Sequence, residues 1–158
     1  MSRRSSGKSP VVWRCTRLDA LTPRELQRIH VARQQVFVVE QACVYQDADA
    51  ADEEASHLCG WTPAGELLAY ARIVDAGLKY AEPSLGRVLT TSAARGTGLG
   101  RELLRRAIDC ATAAYPGAGI RISAQARLEP FYAEVGFTRV GEPYLEDELP
   151  HIEMWRAG

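Results

Sequence analysis

The chain has no CxxC pair. Its four cysteines, Cys15, Cys43, Cys59 and Cys110, are scattered. That spacing excludes a secreted disulfide framework and predicts free, mostly buried thiols in a reducing cytoplasm. No charge of one sign dominates either. Nineteen basic side chains meet 20 acidic ones, a balance that argues against a nucleic-acid partner. No apolar run is long enough for a membrane span. Met1 to Pro10 carries Arg3, Arg4 and Lys8 without an apolar stretch, so it reads as a weakly ordered leader and not as a signal peptide. Repeats and linkers are missing too. The 158 residues therefore read as one domain over residues 11–158.

From Gln34 to Ala71 there is neither Lys nor Arg, while Glu40, Asp47, Asp49, Asp52, Glu53, Glu54 and Glu66 fall inside that window. Around Gln46 to Ser56 the pattern is that of a loop. It is not a calcium loop. Counted from Asp47, position six is Asp52 where glycine is needed, and position twelve is Leu58 where glutamate is needed. On either side the sequence is periodic. Val11 to Leu18 suits a strand. Thr22, Pro23 and Glu25 form a helix start: the threonine takes an orphan N–H and the glutamate reaches back to the cap. Leu26, Ile29, Val36 and Phe37 follow at helical spacing. Arg33 and Glu40, seven apart, are expected on that same face. Two strands around a Thr-Pro-Ala-Gly turn read as a hairpin. A strand over 85–91, a helix with Leu99, Leu103, Ala107, Ile108 and Ala111 inward, a strand over 120–124, a short helix stopped at Gly136 and two final strands complete the order β-α-β-β-β-α-β-α-β-β.

Three glycines stand within five residues in Arg95-Gly96-Thr97-Gly98-Leu99-Gly100-Arg101, after a strand and before a helix. Glycine leaves backbone N–H groups unshielded, and the helix dipole adds positive potential, so the turn is an anion site suited to a pyrophosphate. Arg95 and Arg101 can add charge-assisted bonds. A dinucleotide fingerprint is excluded, because Arg101 stands where its last glycine belongs and residues 116–122 hold no acid. Gly7-Lys8-Ser9 ends like a P-loop, but Ser2 replaces its first glycine.

Arg95, Gly98 and Gly100 instead satisfy (Gln/Arg)-x-x-Gly-x-(Gly/Ala), which resembles the acetyl-CoA pyrophosphate loop of the GNAT acyltransferases. Tyr132 to Phe137 resembles that superfamily's Tyr-x-x-x-Gly-Phe signature. Arg33 to Gln41 with Tyr45-Gln46-Asp47, Ala69 to Arg72, Gly86-Arg87-Val88, Ala124-Gln125-Ala126 and Pro150-His151-Ile152 are similar to its ElaA-like branch. The resemblance spans about residues 33 to 155. It implies a GNAT-like α/β (α+β) fold: a central mixed, mostly antiparallel sheet of six to seven strands with helices on both faces. Two splayed strands, 85–91 and 120–124, would hold acetyl-CoA.

The same resemblance implies roles. Backbone groups of Val88, Leu89 and Thr90 would take the pantetheine arm and supply an oxyanion donor, Arg95, Gly96, Thr97, Gly98, Leu99, Gly100 and Arg101 would take the pyrophosphate, and Gln125 would lie beside the cofactor. Tyr132 carries over as the acid toward the CoA sulfur. The base stays open among Glu40, His57, Glu153 and a water chain. Arg33, Phe37, Tyr45, Arg72 and His151 fall on the acceptor side. Arg33 has a second reading, an internal salt bridge with a loop acid. His57 and Cys59 share a strand face, but further metal ligands are missing, so no metal is expected. The expected activity is acetyl transfer to a small-molecule amine, cationic if the acidic loop shapes the field, by a monomer or homodimer. An acyl-homoserine-lactone-synthase-like acyltransferase and a CoA-binding sensor without turnover are the alternatives.

Overall fold

In the computed structural model, residues 10–158 are described. The expected leader, with Gly7-Lys8-Ser9, lies almost wholly outside them. Among the described residues seven strands occur: β1 (Val12–Arg17), β2 (Ala55–Trp61), β3 (Leu67–Val74), β4 (Ser84–Thr90), β5 (Ile120–Gln125), β6 (Thr138–Glu146) and β7 (Leu149–Arg156). Three α-helices join them: α1 (Pro23–Arg33), α2 (Leu99–Ala114) and α3 (Glu129–Ala133). The element order is the one predicted from periodicity.

The strands form a four-stranded sheet in the order β1-β2-β3-β4 and a three-stranded sheet in the order β5-β7-β6, with every ladder antiparallel. Between the sheets, Arg121 N–H donates to the carbonyl of Pro83 at 3.1 Å. β4 and β5 therefore touch at their starts and run onward without ladder pairing. The expected splay is this divergence. Within β4, Arg72 pairs with Gly86 and Tyr70 with Leu89, so Arg87 and Val88 together oppose Ala71. This is a β-bulge, and Arg87 has φ +51°. A bulge bends its strand and frees backbone groups from the ladder.

Helices cover both faces. Ala69, Ala71 and Ile73 of β3 pack with Leu103, Leu104, Ala107, Ile108 and Ala111 of α2. Tyr70 of the same strand turns the other way, into a cluster with Ile29 of α1, Trp61 and Leu89. The α1 start matches its sequence: Glu25 N–H donates to Thr22 Oγ1 at 3.1 Å and Thr22 N–H to Glu25 Oε1 at 2.9 Å. Its end does not. From Gln34 to Glu40 the chain winds as a wider π-helix. The α-helical spacing stops there, which corrects the expected shared face: Arg33 is fully buried and Glu40 is exposed.

Candidate active site

The glycine turn opens α2 as expected. Gly96 and Gly98 have φ +77° and +81°, and a Cβ at either would meet no neighbour. The glycines therefore serve backbone conformation and bareness, not packing. Gly98 is the N-cap without a capping side chain, so the first N–H groups of α2 carry no intrahelical acceptor. Thr97 Oγ1 donates to the carbonyl of Ala94 at 2.5 Å, which fixes the turn from inside. Arg95 reaches across to Glu40 at 2.7 Å. Arg101 pairs with Glu134 at 3.3 Å, just after α3. Both arginines stay half exposed and within reach of an anion at the turn.

Tyr132 sits on α3, which starts at Glu129-Pro130 and ends at Ala133, earlier than the expected stop; a turn then runs to Gly136 at φ +96°. Its ring meets Phe131 and Phe137 edge-on, at 5.3 and 5.8 Å. Burial pushes its phenol up to about 12. The group is thus held in its protonated form at neutral pH. Among the described residues its hydroxyl makes no hydrogen bond, and the residue keeps 7% exposure. An unpaired phenol at a core edge is suited to donate to an incoming ligand.

The acidic loop does something the sequence left open. Arg33 Nε donates to Asp47 Oδ2 at 3.0 Å and its Nη1 to Asp52 Oδ1 at 2.7 Å. Arg72 Nη1 donates to Asp49 Oδ1 at 2.6 Å and Asp52 Oδ1 at 3.1 Å. Arg87 donates to Asp47 Oδ1 at 3.0 Å and stacks over the Tyr45 ring at 5.3 Å, while the Tyr45 hydroxyl donates to Asp47 at 3.0 Å. Three guanidinium groups thus match three carboxylates. Of the acids in this loop, Asp47, Asp49 and Asp52 are paired from within, while Glu53 and Glu54 are exposed and their carboxylates have no arginine partner among the described residues. Arg33 and Arg72 are buried in this network, so their acceptor-binding assignment gives way to the internal salt bridge. Burial alone would raise Asp52, yet the bond and charge of Arg33, the N–H of Asp49 and the charge of Arg72 bring it down to about 2. The network also pins the bulge through Arg87.

His57 belongs to the same buried group. Its Nε2 lies 2.9 Å from the carbonyl of Asp52, and its Nδ1 2.6 Å from the hydroxyl of Tyr70. A carbonyl needs a donor and a hydroxyl can supply one, so neutral imidazole satisfies both contacts. Burial lowers its pKa. No ring nitrogen is left for a substrate proton, which removes His57 as the base. Cys59 is buried and its thiol is pushed up to about 12 by that burial. Among the described residues no three His, Cys, Asp or Glu side chains gather as a metal site.

The remaining candidates lie nearer the splay. Glu40 faces Arg95, as above. Phe37 is half buried against the α1 cluster. Gln125, at the end of β5, donates to Gln41 Oε1 at 3.1 Å. His151 pairs with Gln125 across β5 and β7; its Nδ1 lies 2.8 Å from the carbonyl of Leu149 and its Nε2 3.2 Å from Glu146 Oε2. Ser123, Tyr144 and Glu146, none of them singled out from the sequence, join His151: Ser123 Oγ bonds to the Tyr144 hydroxyl and lies 3.2 Å from Glu146 Oε2. Only the register of β6 against β7 brings them together, and a one-dimensional pattern carries no signal for that. Glu153, the other base candidate, shares Arg121 with Glu82. A groove of about 380 Å³ runs along α1 and the π-helical turn, lined in part by Val31, Val36, Leu67 and Thr91. It meets this region at Glu40, which pairs with Arg95, and at Thr91 and Ser92, directly after β4.

Comparison with known proteins agrees with this layout. The family model for the acetyltransferase (GNAT) domain matches residues 20–156. The UPF0039 protein sll0451 of Synechocystis is 44% identical over 90% of this chain and 92% of its own length. An acyl-CoA N-acyltransferase from Pseudomonas aeruginosa has a crystal structure that superposes with TM-score 0.88, at 42% identity over 94% of this chain and all of that one. Escherichia coli ElaA is 36% identical over 92% of this chain and 96% of its own, and its crystal structure superposes with TM-score 0.86. The chain is therefore a member of the GNAT acetyltransferase family, in the group that includes ElaA and the UPF0039 proteins.

Proposed function

We propose that the protein transfers an acetyl group from acetyl-CoA to a primary amine of a small acceptor. The observation that carries this reading is the pairing of two features: a bare-amide turn at the start of α2, and the bulged, unpaired stretch of β4 beside β5. Acetyl-CoA fits that pairing. Its diphosphate would lie on the amides of Gly96 to Arg101, with Arg95 and Arg101 adding charge. Its pantetheine arm would lie along Val88, Leu89 and Thr90, and Gln125 would border the thioester.

The chemistry then divides among few groups. An ammonium near pKa ~10.4 must lose a proton, to solvent through a water chain, before it attacks. Its nitrogen lone pair forms the bond to the thioester carbon. A backbone N–H freed by the bulge stabilises the oxyanion. The C–S electron pair leaves with sulfur, which takes the proton of Tyr132. The second proton lost by nitrogen restores the phenol through solvent. Glu40 is engaged by Arg95, so its part is to hold that arginine until the diphosphate competes for it. The experiment is free-thiol release from acetyl-CoA across a panel of amines, with Tyr132→Phe beside the wild type. Amine-dependent release that falls about 10²-fold in Tyr132→Phe is expected of a general acid. Tight CoA binding with no release for any amine would favour a sensor.

A further inference from the structure

The family fold leaves the acceptor unnamed, and Asp47, Asp49 and Asp52 of the acidic loop are already paired with arginines. The carboxylates around the splay differ in this respect. Asp47, Asp49 and Asp52 are held by arginines. Glu82 and Glu153 share Arg121, and Glu40 holds Arg95. Among the described residues, Glu146 has no guanidinium partner. Its Oε2 takes Ser123 and His151, at 3.2 Å each, and its side chain stays 43% exposed. Its Oε1 is outside both bonds. Lys79 lies close enough to feel its charge but forms no ion pair with it.

The surroundings hold that carboxylate in place. His151 donates Nδ1–H to the carbonyl of Leu149, which turns Nε2 toward Glu146, a contact that is an ion pair only when the ring carries both protons. The Tyr144 ring stacks on His151 at 6.2 Å, and its hydroxyl meets Ser123. Ser123 lies on β5, two residues before Gln125, on the strand that borders the splay. A half-exposed carboxylate anchored through one oxygen, open at the other and without an arginine on it is built to receive an ammonium group.

We propose that Glu146 binds the ammonium group of a cationic acceptor beside the thioester, with His151 and Ser123 as positioning residues. This rests on the acyltransfer reading and adds to it the acceptor's charge and the residue that selects it. The arrangement favours a diamine or polyamine, whose second cation can sit on Glu146 while the reacting nitrogen is free to attack.

The test compares 1,5-diaminopentane with methoxyamine, which is uncharged at neutral pH, in wild type, Glu146→Gln, His151→Gln and Glu142→Gln. Glu142 is an exposed acid on the same strand and serves as the charge control. Glu146→Gln should raise KM for the diamine at least tenfold and leave KM for acetyl-CoA and methoxyamine turnover within twofold. Glu142→Gln should match wild type, and His151→Gln should fall between. An unchanged diamine KM in Glu146→Gln would overturn the assignment. Calorimetric titration of the diamine into CoA-loaded protein separates the two readings. Diamine binding that weakens tenfold in Glu146→Gln upholds the anchor even if no thiol is released and acyl transfer fails. Diamine that binds neither protein, or both equally, overturns it.

Discussion

Tyr132 and Asp52 are both buried, and burial acts on them in opposite company. Among the described residues nothing charged faces Tyr132, so desolvation stands alone and keeps its proton on. Asp52 meets two arginines and a backbone N–H, and these outweigh desolvation. The sign of the second case gives a pH dependence. A carboxyl depressed in the folded state stabilises it above its unfolded pKa of ~4 and loses that contribution as pH falls toward 2. The shift corresponds to about 2 kcal/mol. Urea unfolding at pH 5 and at pH 2 should differ by at least that amount in wild type. Asp52→Asn should already lose about 2–3 kcal/mol at pH 7, because Arg33 and Arg72 lose the carboxylate they share while Arg33 keeps Asp47. His57 teaches the same lesson by its tautomer: both nitrogens are used, so His57→Gln should harm stability and leave acetyl-CoA affinity unchanged.

At the scale of elements, the decisive features are a turn and a bulge. The turn was legible in the sequence, since three closely spaced glycines directly before an amphipathic run mark a bare backbone turn at a helix start. The start of α1 was legible for a similar reason: Thr22, Pro23 and Glu25 are local signals with local causes. The bulge was not. Gly86-Arg87-Val88 marked a likeness, but a left-handed φ at an arginine depends on Asp47, forty residues away in the chain, accepting its guanidinium. The π-helical turn escaped for the same reason; Gln34 to Glu40 keep apolar residues at a spacing that also suits an α-helix. Two outcomes follow. Gly98→Val should weaken CoA binding about tenfold by calorimetry, because φ +81° is strained for a β-branched residue and the amide is displaced. Thr22→Ala should cost about 1 kcal/mol in unfolding experiments and leave turnover as it was.

In the molecule as a whole, two antiparallel sheets meet at the backbone bond between Arg121 and Pro83, and β4 and β5 run on from there without a ladder between them. The polar network of Arg33, Arg72 and Arg87 braces one side of the opening and the α2 core braces the other. The binary pattern predicted this layering, because α2 shows one apolar face and the strands are short and separated by turns. Which acids stay available to a ligand was hidden, because that depends on which arginine each finds in three dimensions. A ligand that bridges both sheets should stabilise them together. At 100 times its dissociation constant, CoA should add about 2.7 kcal/mol, seen as a melting-temperature rise of roughly 5–10 °C.

A crystal structure of the protein with CoA examines the arrangement directly. The diphosphate should accept hydrogen bonds from the amides between Gly96 and Arg101, the pantetheine should run between β4 and β5, and the sulfur should lie within hydrogen-bonding distance of the Tyr132 hydroxyl. A diphosphate bound on another surface, or a splay left empty beside bound CoA, would contradict the assignment of the site.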